Sequence, residues 1–187
     1  LVFLLPFGGL ASVGLYKLTK TEGLGTDRAL ESVQGRKNVP ILLVPVIFIA
    51  SVITHLFGGS AGKEGAALQL GSGIAEFVSK IIKAGERTHA VMTICGMAAL
   101  FSAVFGTPVG ACVFALEVAV IGRMNAVAVF PAFISSITAY FISTAIGVHP
   151  ERFHVEAVPD FTIINLLKTF GVAVIVSLAA YFFCHSL

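Results

Sequence analysis

Gly58-Gly59-Ser60-Ala61-Gly62-Lys63-Glu64-Gly65-Ala66-Ala67-Leu68-Gln69-Leu70-Gly71-Ser72-Gly73 is the stretch on which the reading of this chain turns. It follows a long apolar run that ends at Phe57, and it sets Lys63 and Glu64 side by side in a glycine-rich break. A charged side chain at membrane depth costs about 2.5 to 3.5 kcal/mol on insertion scales, so a carboxylate there marks a functional site by default. Glu64 is therefore the first candidate residue, provided that the chain around it lies in a membrane.

Composition supplies that condition. The chain is 57% hydrophobic and 12% charged, with a mean hydropathy of +0.96, whereas soluble domains carry about twice that charged share. It reads as an integral membrane protein. The formal net charge is +2 and the basic residues fall in short loops, so no nucleic-acid partner is expected. Cys95, Cys112 and Cys184 sit in apolar stretches without paired spacing, and His55, His89, His149, His154 and His185 are scattered. Neither a disulfide framework nor a metal site is expected. No Ser/His/Asp set, phosphate loop or nucleotide fingerprint is present, so the chain is expected to be no enzyme and to use no cofactor. It opens inside an apolar run at Leu1 and stops at Ser186-Leu187 without a polar tail; it reads as a piece of a longer polypeptide.

Outward from the glycine-rich stretch, about seven helical segments are expected, and the fold class is all-α. Residues 1–18 are apolar, with Pro6 and Gly8-Gly9 inside, and read as the end of a spanning helix. Residues 17–37 read as a polar loop whose basic excess favours the cytoplasmic side. Residues 38–57 read as a full span, with Pro40 suited to its start and Pro45 placed to kink it. Residues 66–83 read as a helix carrying Glu76 and Lys80 one turn apart, and 90–105 as another. A second break at Phe105-Gly106-Thr107-Pro108 restarts a helix over 109–121, with Thr107 as cap and Pro108 at its first position. Residues 126–147 and 163–184 are further spans. The loop 149–160 has no basic excess, which fits the outer face.

Helices that stop and restart at membrane depth need a physical reason. Non-helical backbone cannot face lipid and is tolerated only inside protein or against a watery cavity. The first N–H groups of a restarted helix have no intrahelical partner, and with the helix dipole they attract an anion. Half-helices meeting near the midplane bind ions in this way in many transporters. The other reading is close packing through small residues, for which Gly58 with Gly62 and Gly106 with Gly110 have the spacing. Both readings stay open for the restart at Gly106, Thr107 and Pro108; the presence of Glu64 favours ion binding at Gly62 to Gly65.

Gly62-Lys63-Glu64-Gly65-Ala66-Ala67-Leu68-Gln69 resembles the Gly-Arg-Glu-Gly-Pro-x-Val-Gln signature of the CLC chloride channels and H⁺/Cl⁻ antiporters. Downstream, Phe105-Gly106-Thr107-Pro108 and then Val113-Phe114-Ala115-Leu116-Glu117 resemble that family's Phe-Asn-Ala-Pro and Leu-Phe-x-x-Glu runs. The resemblance implies an inverted-repeat architecture of which 1–187 is one partial transmembrane domain, the first repeat plus the start of the second. It makes Glu64 the gating carboxylate, which fills an anion site when ionised and swings aside when protonated. The backbone around Gly62, Lys63, Gly65 and Ala66 would donate to the anion.

Two departures stand out. The upstream Gly-Ser-Gly-Ile-Pro motif is matched only by Gly23-Leu24-Gly25-Thr26-Asp27, so Leu24, Gly25 and Thr26 are the matching anion-binding candidates and Thr26 the matching hydroxyl. Gly71-Ser72-Gly73 is a decoy inside the helix after Glu64. The inner acid of the antiporters is replaced by Val118, beside Glu117. The resemblance thus implies a chloride channel or chloride/proton antiporter. A fluoride/proton antiporter is the alternative, since that branch also lacks the serine and the proline, here Ala66. A non-conducting fragment is the third reading. The implied partners are membrane lipid, a halide anion and a second copy in a homodimer. The implied location is the plasma membrane, specifically a bacterial inner membrane.

Overall fold

Glycine and proline interrupt the apolar stretches after Phe57 and at Gly106 and Pro108. The computed structural model describes residues 4–35, 38–119, 125–148, 150 and 158–186, and among them the chain forms eight α-helices and no strands. They are α1 Leu5–Leu18, α2 Thr26–Val33, α3 Leu43–Leu56, α4 Lys63–Ile81, α5 Glu86–Phe105, α6 Pro108–Ala119, α7 Ala126–Ala145 and α8 Ile163–Ser186. They divide into two compact units, Leu1–Glu151 and Arg152–Leu187. The expected outer loop 149–160 falls mostly outside the described residues, as do Arg36, Lys37, Arg123, His149 and His154.

In the first unit α5 is the central element, packed against α2, α4, α6 and α7. Its core joins Ala29 and Val33 of α2, Leu68 of α4, Ile94, Met97 and Ala98 of α5, Leu116 of α6 and Ala132 of α7. Small residues let these backbones approach closely. A Cβ on Gly71 would overlap the Gly96 carbonyl, so α4 and α5 cross backbone to backbone there. The α5–α7 contact carries two hydroxyl bonds across it: Ser102 Oγ donates to the Ser136 carbonyl at 2.7 Å and Ser135 Oγ to the Cys95 carbonyl at 3.0 Å. A smaller cluster of Val39, Leu43 and Ile47 packs Tyr16, Leu24, Ala66 and Leu70. In the second unit α8 is 24 residues long, apolar all round, with none of its residues buried within that unit.

Length sorts these helices by what they can cross. α5, α7 and α8 are long and apolar enough to span a membrane. α3 and α6, with 14 and 12 residues, reach about 21 and 18 Å at 1.5 Å per residue, short of the roughly 30 Å core.

The structure corrects the sequence reading in several places. Residues 17–37 are not a plain loop, because α2 forms within them, its Ala29, Ser32 and Val33 buried against the bundle. The full span expected over 38–57 shortens to α3. Residue 39 precedes a proline, which disfavours helical geometry, and its N–H is taken by the Glu76 carboxylate instead. Pro45 falls in the first turn of α3, where its missing N–H removes no helical bond. The Gly58–Gly62 and Gly106–Gly110 pairs are not helix-packing pairs: Gly58 closes α3 at φ +83°, Gly62 caps α4, and only Thr107, its near neighbour in sequence, comes within 4 Å of a Cβ on Gly110. The packing glycines are Gly71 and Gly96, so the stretch set aside as a decoy holds the α4–α5 crossing.

Candidate anion site

The site starts from two helix beginnings. After Gly58, the chain runs outside any helix to Gly62, the extended N-cap of α4 at φ −65° and ψ 134°. Lys63, Glu64 and Gly65 then carry the N–H groups that regular helix geometry leaves without an intrahelical acceptor, while the Ala66 N–H faces the Gly62 carbonyl. Glu64 lies in this first turn, where the dipole favours a negative charge. Its side chain folds back over the cap: Oε2 lies 3.1 Å from where a Cβ on Gly62 would be. Glu64 is exposed.

The second beginning is α2. Gly25 is its N-cap, extended at ψ −168°, and Thr26 is its first residue. The Leu24 N–H is directed to the Thr21 carbonyl at 3.4 Å and its side chain packs in the smaller cluster, so Leu24 supports this turn from behind. Thr26 reaches α4. A Cβ on Gly65 would lie 2.9 Å from Thr26 Oγ1, and Gln69 Nε2 donates to that oxygen at 3.2 Å. Only a glycine at 65 admits the hydroxyl this close.

The structure therefore brings Gly62, Lys63, Glu64, Gly65 and Ala66 together with Gly25 and Thr26. It sets Gly106, Thr107 and Pro108 in another environment. Gly106 ends α5 in the left-handed conformation, φ +68°, and a Cβ there would overlap Pro150. The Thr107 carbonyl accepts from the Ala111 N–H at 2.8 Å, which makes Thr107 the cap residue of α6, and Pro108 is its first position, as the residue types suggest.

Two residues of α4 stand out that the sequence reading did not assign to a site. Gln69 is one. The other is Glu76, fully buried although charged. Its Oε2 accepts from Ser32 Oγ at 2.9 Å and from the Val39 N–H at 2.6 Å. Lys80 Nζ lies 2.9 Å from Oε1 as an ion pair whose direction does not make a hydrogen bond, and His89 Nε2 lies 3.8 Å from Oε2. The Lys80 side chain is 54% exposed, while the carboxylate it pairs with stays inside. A signal for both was present: Gln69, Ser72, Glu76 and Ser79 recur at helical spacing as a polar stripe on one face of an apolar helix. Among the described residues no group of His, Cys, Asp and Glu could hold a metal ion.

Residues 8–187 match the family described as voltage gated chloride channel. A chloride/fluoride channel protein of Pseudomonas syringae pv. tomato is 36% identical over 162 residues, covering 84% of this chain and 36% of the relative. The chloride channel protein CLC-e of Arabidopsis thaliana is 30% identical over 118 residues, 62% of this chain and 16% of that protein. The crystal structure of a CLC-type fluoride/proton antiporter superposes with a TM-score of 0.83 at 32% identity, covering 94% of this chain and 45% of that one. The chain thus spans less than half the length of these relatives. With its apolar spans and a match over nearly its whole length, this is an integral membrane protein that belongs to the voltage gated chloride channel (CLC) family.

Proposed function

We propose that the protein of which these residues form part moves halide ions across a membrane, with Glu64 as the gate. The observation that carries this reading is the Glu64 carboxylate folded over the N-cap of α4, in the same turn where Gly65 meets Thr26, the first residue of α2. Ionised, it fills by itself the place that two helix N-termini offer to an anion. Protonated, it loses that attraction and gives way to a halide. The same proton exchange would couple halide to proton movement in an antiporter.

Chloride is the plain family substrate, through a channel or a chloride/proton antiporter. Fluoride with proton exchange is the second reading. It is favoured by Thr26 in place of serine, by Ala66 in place of proline, and by relatives whose names include fluoride. Work as a homodimer in the plasma membrane, a bacterial inner membrane, belongs to the same proposal, as does the division of 1–187 into a first repeat and the start of an inverted second. Residues 1–187 alone are expected not to conduct. Halide efflux from proteoliposomes holding the full-length protein tests this, with chloride and fluoride measured separately and internal pH recorded, with and without Glu64→Ala. Fluoride efflux with proton uptake that the variant loses would establish the fluoride exchanger; chloride flux without proton movement would establish a channel. No flux of either ion would remove the reading.

A further inference from the structure

The buried carboxylate of α4 faces a histidine to which it makes no hydrogen bond. Glu76 is fully buried, and its Oε2 already accepts from Ser32 Oγ and from the Val39 N–H. His89 Nε2 stands 3.8 Å from that oxygen, beyond hydrogen-bond reach but close enough for a charge to be felt. The backbone of His89 is fixed in place: its N–H donates to the Gly85 carbonyl at 2.9 Å, and its own carbonyl accepts from Thr93 Oγ1 at 2.9 Å. What can change at this spot is the charge of the ring. Histidine is the side chain that ordinarily gains or loses its charge between about pH 5 and 8.

Protons can reach it. The His89 side chain is 18% exposed, and it follows a turn that carries Lys80, Lys83, Glu86 and Arg87. Charges this dense between two apolar helices belong at the aqueous edge of a membrane, and their basic excess favours the cytoplasmic face. Among the described residues, Lys80 is the cation that shares Glu76 with the ring. On the elements packed against α5, Arg28 and Glu31 of α2 lie 3.8 Å from each other, Asp27 is also on α2, Lys63 and Glu64 are at the far end of α4, Glu117 is on α6, and α7 carries no charged residue.

We propose that His89 and Glu76 form a pH-sensitive latch, loose while the imidazole is neutral and tight when it is protonated, that fixes α2 and the start of α5 to α4. The sign follows from the charges. Attraction between the ring and the carboxylate exists only while the ring is cationic, so the latch closes as pH falls through the histidine range and opens as pH rises. Ser32 and the Val39 N–H hang on the same oxygen, so α2 and the turn before α3 are held by whatever holds Glu76. The latch is independent of the halide reading, because it acts on how these helices are held and not on the charge of Glu64.

Amide hydrogen exchange of the full-length protein in detergent tests it, read on α2 and on the first two turns of α5 and corrected for the pH dependence of chemical exchange. Measured at about pH 5.5 and about pH 8, either side of the histidine range, protection there is expected to be about two- to fivefold higher at the lower pH, as one partly exposed ion pair supplies. His89→Gln is expected to abolish that difference and to resemble wild type at the higher pH. Glu76→Gln, which keeps an acceptor for Ser32, is expected to abolish it too and keeps the test decisive if the His89 variant does not fold. Lys80→Met removes the competing cation and is expected to widen the difference. Equal protection at both pH values in wild type would overturn the latch, as would a wild-type difference that persists in either glutamine variant. A narrower difference in Lys80→Met would also overturn it, because the response would then need Lys80 rather than His89.

Discussion

Glu64 and Glu76 lie on the same helix, twelve residues and about 18 Å apart at the α-helical rise, yet they are held in opposite ways. Glu64 is exposed at the open end of α4, between Lys63 and Gly65. Glu76 is fully buried and holds three elements to α4: α2 through Ser32, the turn before α3 through Val39, and α5 through His89. The difference teaches that a carboxylate in an apolar helix is an anchor or a moving part according to what reaches it from other elements. α2 gains from both ends of the arrangement, since Thr26 is joined to Gln69 and Ser32 to Glu76. The anchor thereby sets where the first residue of α2 stands against Gly65.

The contrast can be broken most directly at Glu76. Glu76→Ala strands a buried hydroxyl and a buried N–H, each worth about 1 to 3 kcal/mol when left unsatisfied, so a loss of about 3 kcal/mol is expected in detergent unfolding. A variant as stable as wild type would show that the cluster anchors nothing. Ser32→Ala removes one of those partners and is expected to cost about 1 kcal/mol in the same assay, together with weaker halide binding if α2 shifts at its other end.

Lys80→Met sharpens the comparison by separating charge from hydrogen bonding. Because the Lys80 side chain is half-exposed, its removal should alter stability by about 1 kcal/mol or less; a loss as large as that of Glu76→Ala would mean that the ion pair, not the two donors, carries the anchor. The smallest expected effect on stability is at Glu64. Glu64→Gln should shift unfolding by no more than about 0.5 kcal/mol, while halide flux in liposomes loses its dependence on pH. A strongly destabilised Glu64→Gln protein would place Glu64 among the anchors and end the contrast.

The polar stripe on α4 marks the limit of what could be read from the chain alone. Glu76 and Lys80 one turn apart look like a self-sufficient surface pair, and a local partner hides the need for a distant one. Ser32 and Val39 are far from Glu76 in sequence, and only packing brings them to it. α2 was missed for a related reason. Asp27, Arg28 and Glu31 make it read as loop, and eight residues are too few to hold a helix without tertiary contacts. What stabilises α2 is the burial of Ala29 and Val33 against α5 and its neighbours.

Membrane class, the all-α fold, the two helix breaks and Glu64 at a helix start were all determined by the sequence, because each rests on local chemistry: apolar content, glycine and proline at fixed places, and a charge where charge is costly. The meeting of the α2 and α4 beginnings at Thr26 and Gly65, the hydroxyl held by Gln69, and the burial of Glu76 were decided only in the tertiary structure. Each depends on groups some forty residues apart, and no local rule of geometry says that such groups will touch until the helices have packed.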